Sequence, residues 1–203
     1  MLREIDASEW LNTPEPLTLS SLRGRVVVVT AFQMLCRGCA TVSLPQASRL
    51  HQTFPRADLV VIGLHSVFEH HSAMTPEALR AFVHEYQLNF PIAIDRPEAR
   101  SAVPATMQAW ALKGTPSLMV LGRDGALAVR HFGHLDDLRL GCLLGELMAC
   151  APGDPEGVTR AQAPPGAESA VEVCEGAPRG GKVERFNQQE DGLRRERRVL
   201  QNQ

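Results

Sequence analysis

Two stretches of the chain are apolar at nearly every position, Val26–Phe32 and Leu59–Leu64, and both are rich in β-branched residues. Continuous runs of this length, without polar alternation, are expected of strands covered on both faces, as in a parallel sheet. Between them lies a helix-like pattern with apolar positions at Val42, Ala47, Leu50 and Phe54. Pro45 falls inside it and should kink it, because proline lacks the donor an inner turn needs and clashes with the turn before. Strand, helix, strand is a βαβ unit, so the two strands are expected to lie parallel. Upstream, Trp10 and Leu11 read as a short edge strand and Asn12–Pro16 as a turn. Leu17, Leu19 and Leu22 are expected to tuck under the core before Arg23-Gly24 turns into the first long strand.

Downstream, Thr75-Pro76-Glu77 carries the marks of a helix start: a capping hydroxyl, a proline in the first turn and an acid near the dipole's positive end. Leu79, Phe82, Val83 and Tyr86 follow at helical spacing. Phe90–Ile94 forms a short strand ending at Asp95, and a short helix over 104–112 carries Met107 and Trp110. Lys113-Gly-Thr-Pro116 precedes another strand. Arg123-Asp-Gly125 turns it back, and Leu127–Phe132 should pair with it antiparallel. Asp136 and Asp137 open a last helix, from Leu138 to about Cys150, with Leu140, Leu143, Leu144 and Leu147 as its apolar face. This alternation predicts an α/β domain over residues 1–150, a central mixed sheet flanked by helices. Residues 151–203 differ in kind: Pro, Gly and charged residues dominate and Phe186 is the sole aromatic. Such a segment cannot bury enough to offset its ordering entropy, so a disordered tail is expected.

Composition adds limits. The formal net charge of -2 over 203 residues gives no basic field to gather phosphates, which argues against nucleic acid as the main partner. Five cysteines, with one pair at a motif spacing, do not resemble the framework of a disulfide-stapled secreted domain. Acids occupy the first ten residues where a signal peptide needs an apolar stretch, and no run approaches membrane-spanning length. The expectation is a cytoplasmic protein with no membrane partner.

The chemistry enters at the end of the first long strand, where Cys36-Arg37-Gly38-Cys39 meets the start of the helix. A cysteine in a helix's first turn faces unpaired N–H groups and the positive end of the dipole, both of which favour thiolate. Arg37 adds a second positive charge nearby. Cys36 is then the exposed nucleophile and Cys39 the resolving thiol one turn further in. Half a zinc site has the same spacing, yet no second Cys-x-x-C supplies the other ligands. The strand-to-helix setting favours redox chemistry.

This order, a strand, Cys-x-x-Cys, a helix and a distant Gly-Thr-Pro before a strand, resembles the thioredoxin-like fold. The inserted strand and helix around residues 58–94 are similar to the TlpA-like, redoxin branch, which overlaps with the alkyl-hydroperoxide-reductase (AhpC/TSA) group. The resemblance spans roughly residues 10–150. It implies thiol–disulfide exchange by Cys36 and Cys39, with Pro116 as a cis-proline beside them and the backbone near Thr115 pairing with the substrate. It also implies a protein or small-molecule disulfide as substrate, a reducing partner, and no cofactor or metal beyond the redox-active pair. The chain departs from that family at Leu35, where tryptophan is usual, and at Arg37-Gly38, where Gly-Pro or Pro-Pro is common. Thr30 stands where thioredoxin has a buried aspartate, so the proton acceptor for Cys39 is sought in Glu69 or His65, on the loop leaving the same end of the sheet.

Other features take simpler readings. His65, His70 and His71 with Glu69 have metal-ligand chemistry, but a solvated loop with one histidine hydrogen-bonded near the site is preferred. Cys142 and Cys150 are expected to be buried as small apolar residues. Cys174 and the run Arg194–Arg198 are taken as incidental and as solvated charge. Two rival functions remain. One is a peroxiredoxin-like peroxidase with Cys36 as peroxidatic cysteine, against which Gln33 and Val29 stand where that group has Thr and Pro. The other is a non-catalytic metal carrier using Cys36, Cys39 and a histidine.

Overall fold

A computed structural model describes residues 2–149. Six strands form one sheet in the order β1-β4-β3-β2-β5-β6. They are β1 (Ala7–Leu11), β2 (Val26–Phe32), β3 (Leu59–His65), β4 (Ile92–Asp95), β5 (Ser117–Leu121) and β6 (Leu127–Phe132). The helices are α1 (Leu44–Thr53), α2 (Pro76–Glu85), α3 (Ala105–Ala109) and α4 (Asp137–Ala149). β2, β3 and β4 run parallel, while β1, β5 and β6 join antiparallel, so the sheet is mixed.

Every residue of β2 and β3 is buried, as their unbroken apolar runs require. The pleat sends Val26, Val28 and Phe32 into one core with Leu44 and Ala47 of α1, Leu79 and Val83 of α2, and Leu140, Leu144 and Leu147 of α4. Val27, Val29 and Ala31 face the other core, with Leu19, Leu22, Trp110 and Met119. The lead-in segment therefore covers the face that the long helices leave open. Trp110 fixes it further by donating its indole N–H to the Arg3 carbonyl at 2.9 Å.

Thr75 caps α2 by accepting the Ala78 amide N–H at 3.3 Å, with Pro76 in the first turn. Pro45 meets a different solution from a simple kink. The helix is wound from Arg37, and its turn over Cys39–Ser43 is a π-turn in which the Leu44 N–H reaches back to the Cys39 carbonyl. The wider turn lets the chain pass a proline without an α-type donor at that point. Hydroxyls support it, as Thr41 donates to the Arg37 carbonyl at 2.9 Å and Ser43 to that of Cys39 at 3.4 Å.

One residue of the apolar pattern lies outside the core, and one burial expectation fails. Tyr86 lies exposed past the end of α2, stacked on Phe82 at 4.2 Å between ring centroids. Cys142 is exposed too, because α4 turns Leu140, Leu143, Leu144 and Leu147 inward and position 142 falls on the opposite side. The residues expected to form a disordered tail, 151–203, lie outside the described residues, as do Cys150, Cys174 and Arg194–Arg198.

Candidate active site

The register of the sheet assembles the site. Phe32 at the end of β2 pairs with His65 on β3, and Ala31 pairs with Ser117 at the start of β5. The Cys36 loop, the loop after His65 and the Thr115-Pro116 loop therefore leave the sheet at the same edge, on neighbouring strands. The Thr115–Pro116 peptide bond is cis. Gly38 lies against that proline, and a methyl group at its Cα would stand 3.6 Å from Pro116 Cδ.

Cys36 occupies the N-cap position of the helix and is partly exposed, whereas Cys39 is fully buried; both are thiols here. The Cys39 amide N–H donates to Cys36 Sγ at 3.3 Å, and the Cys36 thiol donates to the Thr115 carbonyl at 3.5 Å. An N–H aimed at the sulfur is the donor that charge on a nucleophilic thiolate calls for. The Cys39 thiol is pushed up to about 12, chiefly by burial and then by Cys36, while hydrogen bonds from the Gln33 backbone and the Thr115 side chain pull the other way. One thiol thus faces outward and the other is held neutral inside.

The remaining residues divide by position. Arg37 is exposed on the helix's first turn and has no ion pair among the described residues. Glu69 is exposed and accepts a hydrogen bond from the Gln33 side chain at 3.3 Å. His65 is buried, packs on Phe32 at 5.2 Å, and its Nε2 has no hydrogen-bond partner. Burial pulls its pKa down to about 4, so the ring is neutral at ordinary pH. His70 and His71 are exposed, the latter against the Ala102 carbonyl at 3.3 Å. Among the described residues no three His, Cys, Asp or Glu side chains come together as a metal site.

Sequence reasoning passed over Gln33 as a site residue. Its side chain is almost wholly buried and touches all three loops: Phe68 N–H donates to its Oε1 at 3.3 Å, and its Nε2 donates to Glu69 and, at 3.4 Å, to Thr115 Oγ1. Its own carbonyl accepts the Cys36 N–H at 3.2 Å. The available signal was a lone carboxamide following six apolar residues and a threonine in a buried run, since a buried amide must find partners.

Comparison with known proteins agrees with this geometry. The AhpC/TSA family model matches residues 6–130. The crystal structure of a thiol-disulfide isomerase from Corynebacterium glutamicum is 46% identical, covers 74% of this chain and 97% of its own, and superposes with a TM-score of 0.72. That of a thioredoxin-like superfamily protein gives 44% identity with the same coverages and TM-score. Among curated proteins, NHL repeat-containing protein 2 of Homo sapiens is 30% identical over 137 residues, 65% of this chain and 18% of its own length. Protein DipZ of Mycobacterium tuberculosis is 32% identical over 88 residues, 42% of this chain and 12% of its own. The chain thus spans less than a fifth of the length of these curated relatives. No helix among the described residues is long and apolar enough to cross a membrane. On the family match and these structural relatives, the chain belongs to the AhpC/TSA family, among the thioredoxin-like thiol–disulfide oxidoreductases.

Proposed function

We propose that the chain exchanges its own dithiol with the disulfide of a protein substrate, using Cys36 as nucleophile and Cys39 as resolving thiol. The observation that carries this reading is the asymmetry of the pair: a partly exposed sulfur receiving an N–H at 3.3 Å, with a fully buried thiol three residues on. Cys36, as thiolate, attacks one substrate sulfur; the substrate S–S bond breaks and the departing thiolate takes a proton from water. Cys39 then loses its proton and attacks Cys36 Sγ, releasing the second substrate thiol and closing a Cys36–Cys39 disulfide. Two electrons pass to the substrate, and an external dithiol of a reducing partner restores the pair. The pair is itself the redox group, so the exchange calls for no bound cofactor or metal.

Extended substrate backbone would lie along Thr115-Pro116, whose carbonyl already sits 3.5 Å from the attacking sulfur. Leu35, 61% exposed beside Cys36, and the exposed Phe132, which packs against Gly114, give that edge an apolar rim suited to a protein substrate.

The test is a trapping pair. Cys39→Ser should accumulate a mixed disulfide with a disulfide-bonded protein substrate, whereas Cys36→Ser should trap none and lose exchange by more than a hundredfold. Equilibration in thiol buffers should give a reversible two-electron couple, with about -270 mV marking a reductant and about -120 mV an oxidant. Rapid peroxide consumption without an internal disulfide would replace this reading with the peroxidase one.

A further inference from the structure

The segment along which a substrate backbone would lie is held at three points. Two are on its flanks: the Ser117 hydroxyl donates to the Gly114 carbonyl at 2.7 Å, and the Gly133 N–H donates to the Pro116 carbonyl at 2.8 Å. The backbone of Thr115, between them, is left open. Its N–H has no partner among the described residues, and its carbonyl meets only the Cys36 thiol, at 3.5 Å. An extended polypeptide thus finds one backbone donor and one acceptor here, both on the residue beside the attacking sulfur.

The third point is the Thr115 side chain. Its Oγ1 accepts a hydrogen bond from Gln33 Nε2 at 3.4 Å, and the Gln33 carbonyl in turn accepts the Cys36 N–H at 3.2 Å. One residue therefore holds both sides of the gap, Cys36 through its backbone and Thr115 through its side chain. The carboxamide is itself fixed. Phe68 N–H donates to its oxygen and its nitrogen donates to the Glu69 carboxylate, each at 3.3 Å, so turning the amide over would set its oxygen against a carboxylate. Gln33 is 1% exposed, and burial keeps water from competing for these bonds.

We propose that Gln33 is a positioning residue for substrate recognition: by pinning Thr115 through its side chain, it sets the Thr115 N–H and C=O beside Cys36 to pair with the extended backbone of a disulfide-bearing polypeptide. Gln33 does not touch the substrate. Its effect is selective, since a disulfide carried on a polypeptide gains from the aligned pair and a small disulfide without a backbone does not. The inference rests on the exchange reading above, so its test must separate the two.

The experiment mixes the reduced full chain with two mixed disulfides of 2-nitro-5-thiobenzoate, one on the central cysteine of a short capped peptide and one on 2-mercaptoethanol. Attack by Cys36 on the aliphatic sulfur breaks the same kind of S–S bond in both and expels the same chromophore. The ratio of the two second-order rate constants, each taken relative to reaction with a free thiol, then reads the contribution of the backbone. The unaltered chain should prefer the peptide by about tenfold, the scale of one or two backbone hydrogen bonds. Gln33→Met, which keeps the length and loses both polar ends, should lower that preference by about fivefold. Thr115→Val should lower it similarly, and the double variant should lower it no further than Thr115→Val alone, because both changes release the same pin. If Gln33→Met does not fold, Thr115→Val carries the test, since it leaves Gln33 its Phe68 and Glu69 partners. No preference for the peptide in the unaltered chain, an unchanged preference in either variant, or a fully additive double variant would overturn the proposal. If the unaltered chain expels the chromophore but closes no Cys36–Cys39 disulfide, it is the exchange reading that fails.

Discussion

His65 is a titratable ring with no hydrogen bond on its buried Nε2, and its consequence is a pH profile. Its folded pKa of about 4 lies below the unfolded 6.5, so the unfolded chain binds the extra proton first. Stability is therefore full above about 6.5 and falls as pH drops toward 4, by up to about 3 kcal/mol for this group. Urea unfolding from pH 7 to 4 should show this fall in the unaltered chain and a flatter curve in His65→Leu. Asp95 acts in the opposite sense. Burial raises its pKa despite hydrogen bonds from Ser66, Thr106 and Met107, so its share is present at low pH and lost as pH rises through the folded value. The comparison with His65→Leu isolates the histidine. Cys39 adds an alkaline limb: its folded value near 12 exceeds the ordinary 9, so its stabilisation is lost as pH rises between them. Glycines give a sharper contrast. A Cβ at Gly63 would stand 3.0–3.2 Å from Phe90, Phe32 and Ile92, so Gly63→Ala should cost about 1–3 kcal/mol. At Gly38 the nearest atom is 3.6 Å away and the residue is helical, so Gly38→Ala should fold as well or better, by up to about 1 kcal/mol.

At the scale of elements, caps and ion pairs differ in worth. Thr75→Ala removes the side-chain acceptor for the Ala78 N–H and should lower unfolding free energy by about 1 kcal/mol in urea titration. Arg49→Ala breaks the pair with Asp137 at 2.9 Å between α1 and α4, but both side chains are more than half exposed, and the loss should stay below about 0.5 kcal/mol. The elements themselves were largely legible. Runs at β2 and β3 are apolar on both faces and carry little ambiguity, and Thr75-Pro76-Glu77 announces α2 through capping chemistry. The π-turn was not legible, because it depends on how helix and proline reconcile their hydrogen bonds rather than on side-chain period. Leu44, the first residue after that turn and fully buried in the core, was not among the apolar positions read from the period.

At the scale of the whole molecule, the site exists because the sheet order places β2 between β3 and β5. Cys36 and Cys39 were readable from spacing and setting. The partnership of Gln33, Glu69 and Thr115 was not, since it spans 82 residues and requires the register of three strands. Beyond that edge, Arg123 gathers chain ends: its guanidinium donates to the Gly24 and Met148 carbonyls at 2.9 and 3.0 Å and reaches Asp58 at 3.3 Å. These contacts join the start of β2, the approach to β3 and the end of α4. Arg123→Met should therefore destabilise the protein by about 2–3 kcal/mol, leaving carbonyls unsatisfied, while exchange at 25 °C stays within about twofold.

The turn over Cys39–Ser43 also constrains how this sequence can drift. A π-turn holds one residue more than the α-turn it replaces, and Pro45 stands where an α-turn would need an N–H. Loss of a residue from the turn alone would press the proline ring onto a carbonyl; exchange of the proline alone would leave a surplus residue with nothing to accommodate. Length and proline are thus a compensatory pair, free to change together and costly to change singly, and the place of Cys39 against the sheet is inherited along with them.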